Sequence, residues 1–351
     1  MTKQSVEDFL KTAGWGGAAV TPLAGDASSR SYFRAKLGDK GAVLMSAPPG
    51  AETAACPPAA SPDERRVLGY NACARLAGPN LNAFVSVADT LRSAGLSAPE
   101  VYAADADKGL ALIEDLGDDL FARVVGENSE QALYENAVDV LLHLHRAQPA
   151  PPQSDAYHML AYDHLALLAE AELLIEWYWK LKKGDAPGAE ISAEYADLFT
   201  SLLRELSPPS VIVLRDYHAE NLLWLPHRET IARVGVIDFQ DGLIGSPAYD
   251  LVSLLEDARR DVDPALAEAM IDRYVSAGID RESFFAEYAI LAAQRNAKIL
   301  GVFARLAERD GKRRYLDLLP RVEAHFRRDL ARPAAAPLKR FFETHLPELA
   351  A

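Results

Sequence analysis

The chain has 351 residues, a formal net charge of −14 and two cysteines, Cys56 and Cys73. At 49% hydrophobic and 25% charged residues it reads as a globular protein with material for one large core or two lobes. The negative charge argues against a nucleic-acid partner, the cysteines lack metal-ligand spacing and give no disulfide framework, and no apolar run is long enough for a membrane span. The N-terminus has no basic stretch followed by a hydrophobic one, so no secretory signal is expected, and the cytoplasm is the expected compartment.

In chain order, residues 18–23 and 31–37 read as strands joined by a loop of small residues that includes Gly25, Ser28, Ser29 and Arg30. Such a loop can fold over a triphosphate with its N–H groups toward the phosphates. The turn 38–41 leads to a third strand at 42–45. Residues 47–62, rich in Pro and Ala, read as a loop or insertion. Over 82–94, Phe84, Val87, Ala88 and Leu91 share one helical face. Strands at 101–104 and 110–113 follow. Glu114 through Leu116 to Gly117 reads as a hinge between lobes, whose backbone groups can recognise an adenine edge. Beyond it the chain is mostly helical, with periodic stretches at 130–146, 163–182, 264–277 and 283–309. His143 and His145 lie two apart on one helix, point in different directions and cannot share a metal.

The densest chemistry lies at Leu214-Arg215-Asp216-Tyr217-His218-Ala219-Glu220-Asn221, followed by Val236-Ile237-Asp238-Phe239. Strands at 211–214, 222–225 and 233–237, with a turn at 226–229, make a hairpin that begins after Asn221 and ends before Asp238. Both residues then reach one rim. An Asp, an Asn five residues on and an Asp after a further strand resemble the working end of a eukaryotic-like kinase. Phosphoryl transfer asks the protein to hold an acceptor hydroxyl in line and to neutralise the triphosphate. Asp216 would accept or orient the acceptor proton, and Asn221 and Asp238 are hard oxygen ligands suited to Mg²⁺.

The order of parts resembles the aminoglycoside phosphotransferase family over nearly the whole chain. Within it, the chain is most similar to the anomeric sugar kinases that act on N-acetylmuramate and N-acetylglucosamine in bacterial cell-wall recycling. The segments at 25–34, 45–49, 114–118, 176–178, 214–221, 237–241, 247–253 and 294–305 carry this resemblance. It implies an α+β, bilobal protein-kinase-like fold, with a small antiparallel-sheet N-lobe over 1–116 for the nucleotide. A larger, mainly helical C-lobe over 117–351 serves catalysis and the acceptor. It also implies ATP and Mg²⁺ as cofactors, an amino sugar as partner, Arg215 as structural support, and Asp250 bonding the backbone of the catalytic loop.

Two departures stand out. The strand lysine that usually pairs the α- and β-phosphates falls near Met45, and its usual Glu partner near Val85. The missing charge is therefore expected from Arg30 or Arg34. Leu214 replaces the usual catalytic-loop His. For the acceptor, Trp177 or Tyr178 is expected to stack on a sugar face. Arg295 and Lys298, three apart on a helix, are expected on one side, facing a lactyl carboxylate. The residues leave two other readings open: a kinase of aminoglycosides or another cation such as choline, and a nucleotide-binding pseudokinase. Monomer and homodimer also stay open.

Overall fold

The computed structural model describes residues 3–23, 30–48, 56–126 and 129–350. Contacts divide the chain into Met1–Leu160 with Glu220–Leu243 (unit 1) and Ala161–Ala219 with Ile244–Ala351 (unit 2). This division differs from the expected lobe boundary at 116/117. The reason is that the hairpin of strands Leu222–Trp224 and Val234–Val236 bonds to the segments around the sheet. Trp224 N–H donates to Asp119 at 2.7 Å, Val236 N–H to Ser97 at 3.0 Å, and Ser97 Oγ to the Ala232 carbonyl at 2.6 Å.

Unit 1 is built on a five-stranded antiparallel sheet of order β1-β2-β3-β5-β4. Its strands are β1 Ala19–Pro22, β2 Ser31–Leu37, β3 Lys40–Ser46, β4 Val101–Asp105 and β5 Leu110–Ile113. A two-residue turn joins β2 to β3, with Leu37 opposite Lys40, and Gly38 takes the left-handed φ of 59° that such a turn needs. The period-2 alternation of β2, β3 and β5 sends Ala35, Ala42, Leu44, Leu110 and Leu112 to one face, where Phe9 and Leu10 of helix α1 (Lys3–Thr12) cover them. Burying that face is what holds α1, a helix its short sequence did not announce.

The expected loop at 47–62 is described only at its ends, since 49–55 lie outside the described residues; it closes into helix α2, Pro62–Leu68. Ser61 and Glu64 form a reciprocal capping box there. Asn80 caps helix α3, Leu81–Ser93, which buries Phe84, Val87, Ala88 and Leu91. Helix α4, Glu130–Ala147, completes unit 1 apart from the hairpin.

Unit 2 is helical. Asp163 caps α5, His164–Leu173, which widens into a π turn at Leu174–Tyr178 before continuing as Trp179–Lys183. The stretch at 163–182 is thus not the uniform helix its periodicity suggests. The other helices are α6 Ala189–Leu203, α7 Ala248–Leu255, α8 Pro264–Val275, α9 Arg281–Glu308, α10 Leu319–Leu330 and α11 Ala336–His345. Helix α9 is the axis of the unit. It packs against α5, the π turn, α7 and α10, so every residue from Glu287 to Ala297 is buried, polar ones included. At Gly301 an added Cβ would stand 2.2 Å from the Leu173 carbonyl carbon. That close approach brings α9 against the end of α5 and the start of the π turn. Among the described residues no helix is long and apolar enough to cross a membrane.

Candidate active site

The sequence-predicted residues fall in both units: Asp216 in unit 2, Asn221 and Asp238 in unit 1. In unit 2, strand Val211–Val213 runs into the loop that carries Asp216. Arg215 takes a left-handed φ of 69°, costly for a residue with a Cβ, so the surroundings must hold it. They do. Asp250, buried on α7, accepts the Leu214 N–H at 2.6 Å and the Arg215 N–H at 2.9 Å, while Ser253 Oγ donates to the Arg215 carbonyl at 3.3 Å. Burial pushes the Asp250 carboxyl up to about 7, against the pull of those two N–H donors.

The Arg215 side chain turns inward, ion-pairs with fully buried Glu170 and lies over the Tyr162 ring at 4.9 Å. Burial raises the Asp216 carboxyl, but Lys298 first, then His218, Arg215 and Arg295, leave it below the usual carboxylate value. Burial also pushes the His218 imidazole down to about 4, so it is neutral at pH 7 and the counter-charge comes from the lysine and arginines.

In unit 1 the short hairpin pairs Leu222 with Val236, and Ile237 N–H donates to the Asn221 carbonyl at 3.1 Å. This register sets Asn221 and Asp238 at the same end of the hairpin, with Asn221 opposite Ile237 and Asp238 one residue further on. Asp238 has a φ of 60°, and its Oδ1 accepts from Gln240 Nε2 at 2.8 Å. Phe239 behind it stacks on Phe84 of α3 with centroids 5.0 Å apart. Asp241 is not turned to a ligand with its Oδ1, which accepts the Ala77 N–H at 2.6 Å. Among the described residues no group of three or more His, Cys, Asp or Glu side chains gathers to hold a metal by itself. Two oxygen-bearing side chains at one hairpin end fit Mg²⁺, which keeps few protein ligands and shares phosphate and water oxygens.

On the sheet, Met45 is fully buried and stands opposite Tyr32 and Ala111. Burial first, then Asp238, pushes the Tyr32 hydroxyl up to about 12, with Arg30 pulling it down. Arg30 donates to the Gly78 carbonyl at 2.9 Å. Arg34 points elsewhere: it bonds Asp115 at 2.7 and 3.2 Å and Asp118 at 3.1 and 3.0 Å. Those carboxylates take up its charge, whereas Arg30 acts electrostatically on Tyr32, as Asp238 does. Gly25, Ser28 and Ser29 lie outside the described residues.

At the hinge, the Glu114 side chain is taken up by Arg228 and Arg92, and half-buried Leu116 packs over Gly235 of the hairpin. The side chains of Glu114 and Asp115 are thus both committed to arginines.

The expected acceptor contacts are placed differently. Tyr178 is buried, donating to Glu323 at 2.7 Å, and Trp177 is half-buried on the π turn. Arg295 donates to Ser253 Oγ at 2.8 Å, and Lys298 pairs with Glu170 at 2.9 Å. The helical spacing puts both on one side, but that side faces the interior of unit 2. Sequence reading missed Glu170, Tyr162, Ser253 and Tyr32. Of these only Glu170 left a signal, as an acid in the otherwise apolar window Leu165 to Ala171.

An antiparallel sheet unit carrying a Phe-backed Asp and an Asn on one hairpin, with a braced Asp loop in a helical unit, defines a phosphotransferase of the kinase-like fold. A model of the phosphotransferase enzyme family matches residues 19–285, and the chain belongs to that family. An N-acetylmuramate/N-acetylglucosamine kinase of Caulobacter vibrioides is 44% identical over 347 residues, spanning 97% of this chain and 95% of its own. One of Pseudomonas aeruginosa with the same name is 31% identical, spanning 93% and 88%. Among solved structures, a choline/ethanolamine kinase family protein from Mesorhizobium loti superposes with a TM-score of 0.57 at 16% identity, covering 100% of this chain and 99% of its own. The ADP-bound aminoglycoside phosphotransferase APH(2'')-Ib gives 0.57 at 15% identity, covering 92% and 97%. These two share the fold.

Proposed function

We propose that this phosphotransferase uses Mg²⁺·ATP to phosphorylate the anomeric hydroxyl of N-acetylmuramate or N-acetylglucosamine, returning cell-wall sugars to use inside the cytoplasm. The observation that carries the chemistry is the hairpin register that sets Asn221 and Asp238 at one end, five residues along the chain from a braced, ionised Asp216. The acceptor rests on the name of a relative 44% identical across nearly the full length of both chains.

In this reading Asp216 takes the proton of the sugar hydroxyl while its oxygen bonds to the γ-phosphorus, and the bond from that phosphorus to the β–γ bridging oxygen breaks to release ADP. Asn221 and Asp238 would hold the Mg²⁺, whose charge offsets that of the phosphates. Arg30, which shares the electrostatic surroundings of Tyr32 with Asp238, would add the charge that Met45 cannot. The backbone of Glu114 to Leu116 would meet the adenine. Arg215 and Asp250 serve as support. Trp177 is the aromatic residue left as a candidate sugar contact, since Tyr178 is core.

The test is ADP release from Mg²⁺·ATP with N-acetylmuramate, N-acetylglucosamine, glucose, choline and kanamycin, with ³¹P NMR of the product and Asp216→Asn as control. An anomeric phosphate formed from N-acetyl sugars alone, with an inactive mutant, is expected. Turnover of choline or kanamycin in place of the sugars overturns the acceptor, and nucleotide binding with no turnover of any acceptor points to a pseudokinase.

A further inference from the structure

Four side chains converge on Glu170, a carboxylate with no solvent exposure: Lys298 at 2.9 Å, Gln294 at 3.4 Å, and Arg215 and Tyr162 in short contacts. Two cations on one buried anion leave a positive charge uncompensated, which an interior tolerates only beside another anion. Asp216, the chain neighbour of Arg215, is that anion. The set of Glu170, Asp216, Arg215 and Lys298 is neutral, and it is neutral only with Asp216 ionised.

Helix α9 reaches the loop a second time, three residues earlier. Arg295 donates to Ser253 Oγ, which donates to the Arg215 carbonyl, while Lys298 meets the Arg215 side chain through Glu170. One helix thereby holds both the main chain and the side chain of the residue before Asp216. The loop residues Tyr217 and His218 bring no cation of their own at pH 7, so beyond Arg215, which Glu170 engages, the charge is supplied from α9.

We infer that Lys298 is a positioning residue for phosphoryl transfer, which, through the Glu170 it shares with Arg215, keeps Asp216 ionised and in place, and that it makes no contact with the acceptor. This rests on Asp216 being the proton acceptor. The charged and titratable groups that face Asp216 are Arg215 and His218 from its own loop, Lys298 and Arg295 from α9, and Asp250 from α7. Of these, Asp250 opposes ionisation, Arg295 is spent on Ser253, and Lys298 exerts the strongest pull.

The test is the pH profile of kcat/KM for both N-acetyl sugars in Lys298→Met, Lys298→Arg and Glu170→Gln, with thermal melts to confirm folding. Lys298→Met should move the acid limb to higher pH, losing about tenfold more kcat/KM than the wild type between about pH 8 and about pH 5.5. Lys298→Arg should restore the limb. Glu170→Gln, which adds net positive charge around Asp216, should move it the opposite way. A packing role alone would lower kcat at every pH with the limb unmoved, and that result overturns the inference. So does a rise in KM for N-acetylmuramate in Lys298→Met that N-acetylglucosamine does not share. Should Lys298→Met fail to fold, the limb of Glu170→Gln decides: a move to lower pH, with Lys298→Arg unmoved, supports the inference, and an unmoved limb in Glu170→Gln overturns it. Full activity in Asp216→Asn refutes the base itself, a failure distinct from that of Lys298.

Discussion

Gly301→Ala isolates the contact between α9 and α5. An alanine is the better helix former by up to about 1 kcal/mol, so on propensity alone the substitution would stabilise. Its Cβ, however, would stand 2.2 Å from the Leu173 carbonyl carbon and 2.4 Å from the carbonyl oxygen. The obstacle is backbone, not a flexible side-chain tip, so the helices must part by more than about 1 Å to reach ordinary van der Waals contact. Overpacking costs about 1–3 kcal/mol where neighbours can yield. Here they cannot, and a net loss of about 3 kcal/mol is expected. With an unfolding entropy of about 2.1 cal/mol/K per residue, that lowers Tm by roughly 4 °C if the whole chain melts as one, and by roughly 8 °C if the roughly 170 residues of unit 2 melt alone. Calorimetry on wild type and variant measures the shift. Lys298 lies three residues before Gly301 and Glu170 three before Leu173, so parting the helices also stretches their ion pair and kcat should fall with stability. An unchanged Tm with activity within about twofold of wild type would refute the close packing and the link to Glu170 together.

Arg34→Gln should raise KM for ATP several-fold and leave KM for the sugar unchanged, because Arg34 fastens the hinge through Asp115 and Asp118; steady-state kinetics on both substrates separate the two. Arg30→Ala should lower kcat, since Arg30 is the proposed cation in a sheet that has Met45 in place of lysine; unchanged turnover and ATP affinity would remove it from the site. For His218, burial holds the folded pKa at about 4 against an ordinary 6.5, so its contribution is present above 6.5 and is lost as pH falls through about 4. That amounts to roughly 3 kcal/mol at pH 4. Urea denaturation across this range should show a shallower acid decline for His218→Gln than for wild type, and identical declines would contradict the shift. Asp250 carries the opposite sign: raised to about 7, it favours the fold most below 3.8 and least above about 7, so the comparison must be made between variants.

The strands around the site were legible because their alternation is strong and their turns carry glycine or a Pro-led polar run. The hairpin after Asn221 is the clearest instance. Sequence periodicity also located α9, but it reported an amphipathic helix where the structure has one enclosed on most sides. That difference is why Arg295 and Lys298 were expected to face the acceptor. Charge alone does not say which way a helix faces when its partners are polar and buried, as Glu170 and Ser253 are. The π turn at 174–178 was invisible for a related reason. One extra residue per turn changes no residue's hydrophobicity, and the Gly301 that packs against Leu173 beside it lies far along the chain. Arg34 was expected as a cation for the phosphates, and its partners were not legible because Asp115 and Asp118 are 81 and 84 residues away.

The hairpin that bears Asn221 and Asp238 at one end is tied at the other to the hinge, where Arg228 in its turn meets Glu114. Its strands are three residues each, about 10 Å in length. It is therefore a short, stiff tie between the segment at Glu114 and the end that carries Asn221 and Asp238. A displacement at Glu114 reaches that end with little elastic loss on the way. In the proposed reading nucleotide affinity and metal dependence are then mechanically one property, and a substitution in the turn at Arg228 alters the second without touching a ligand.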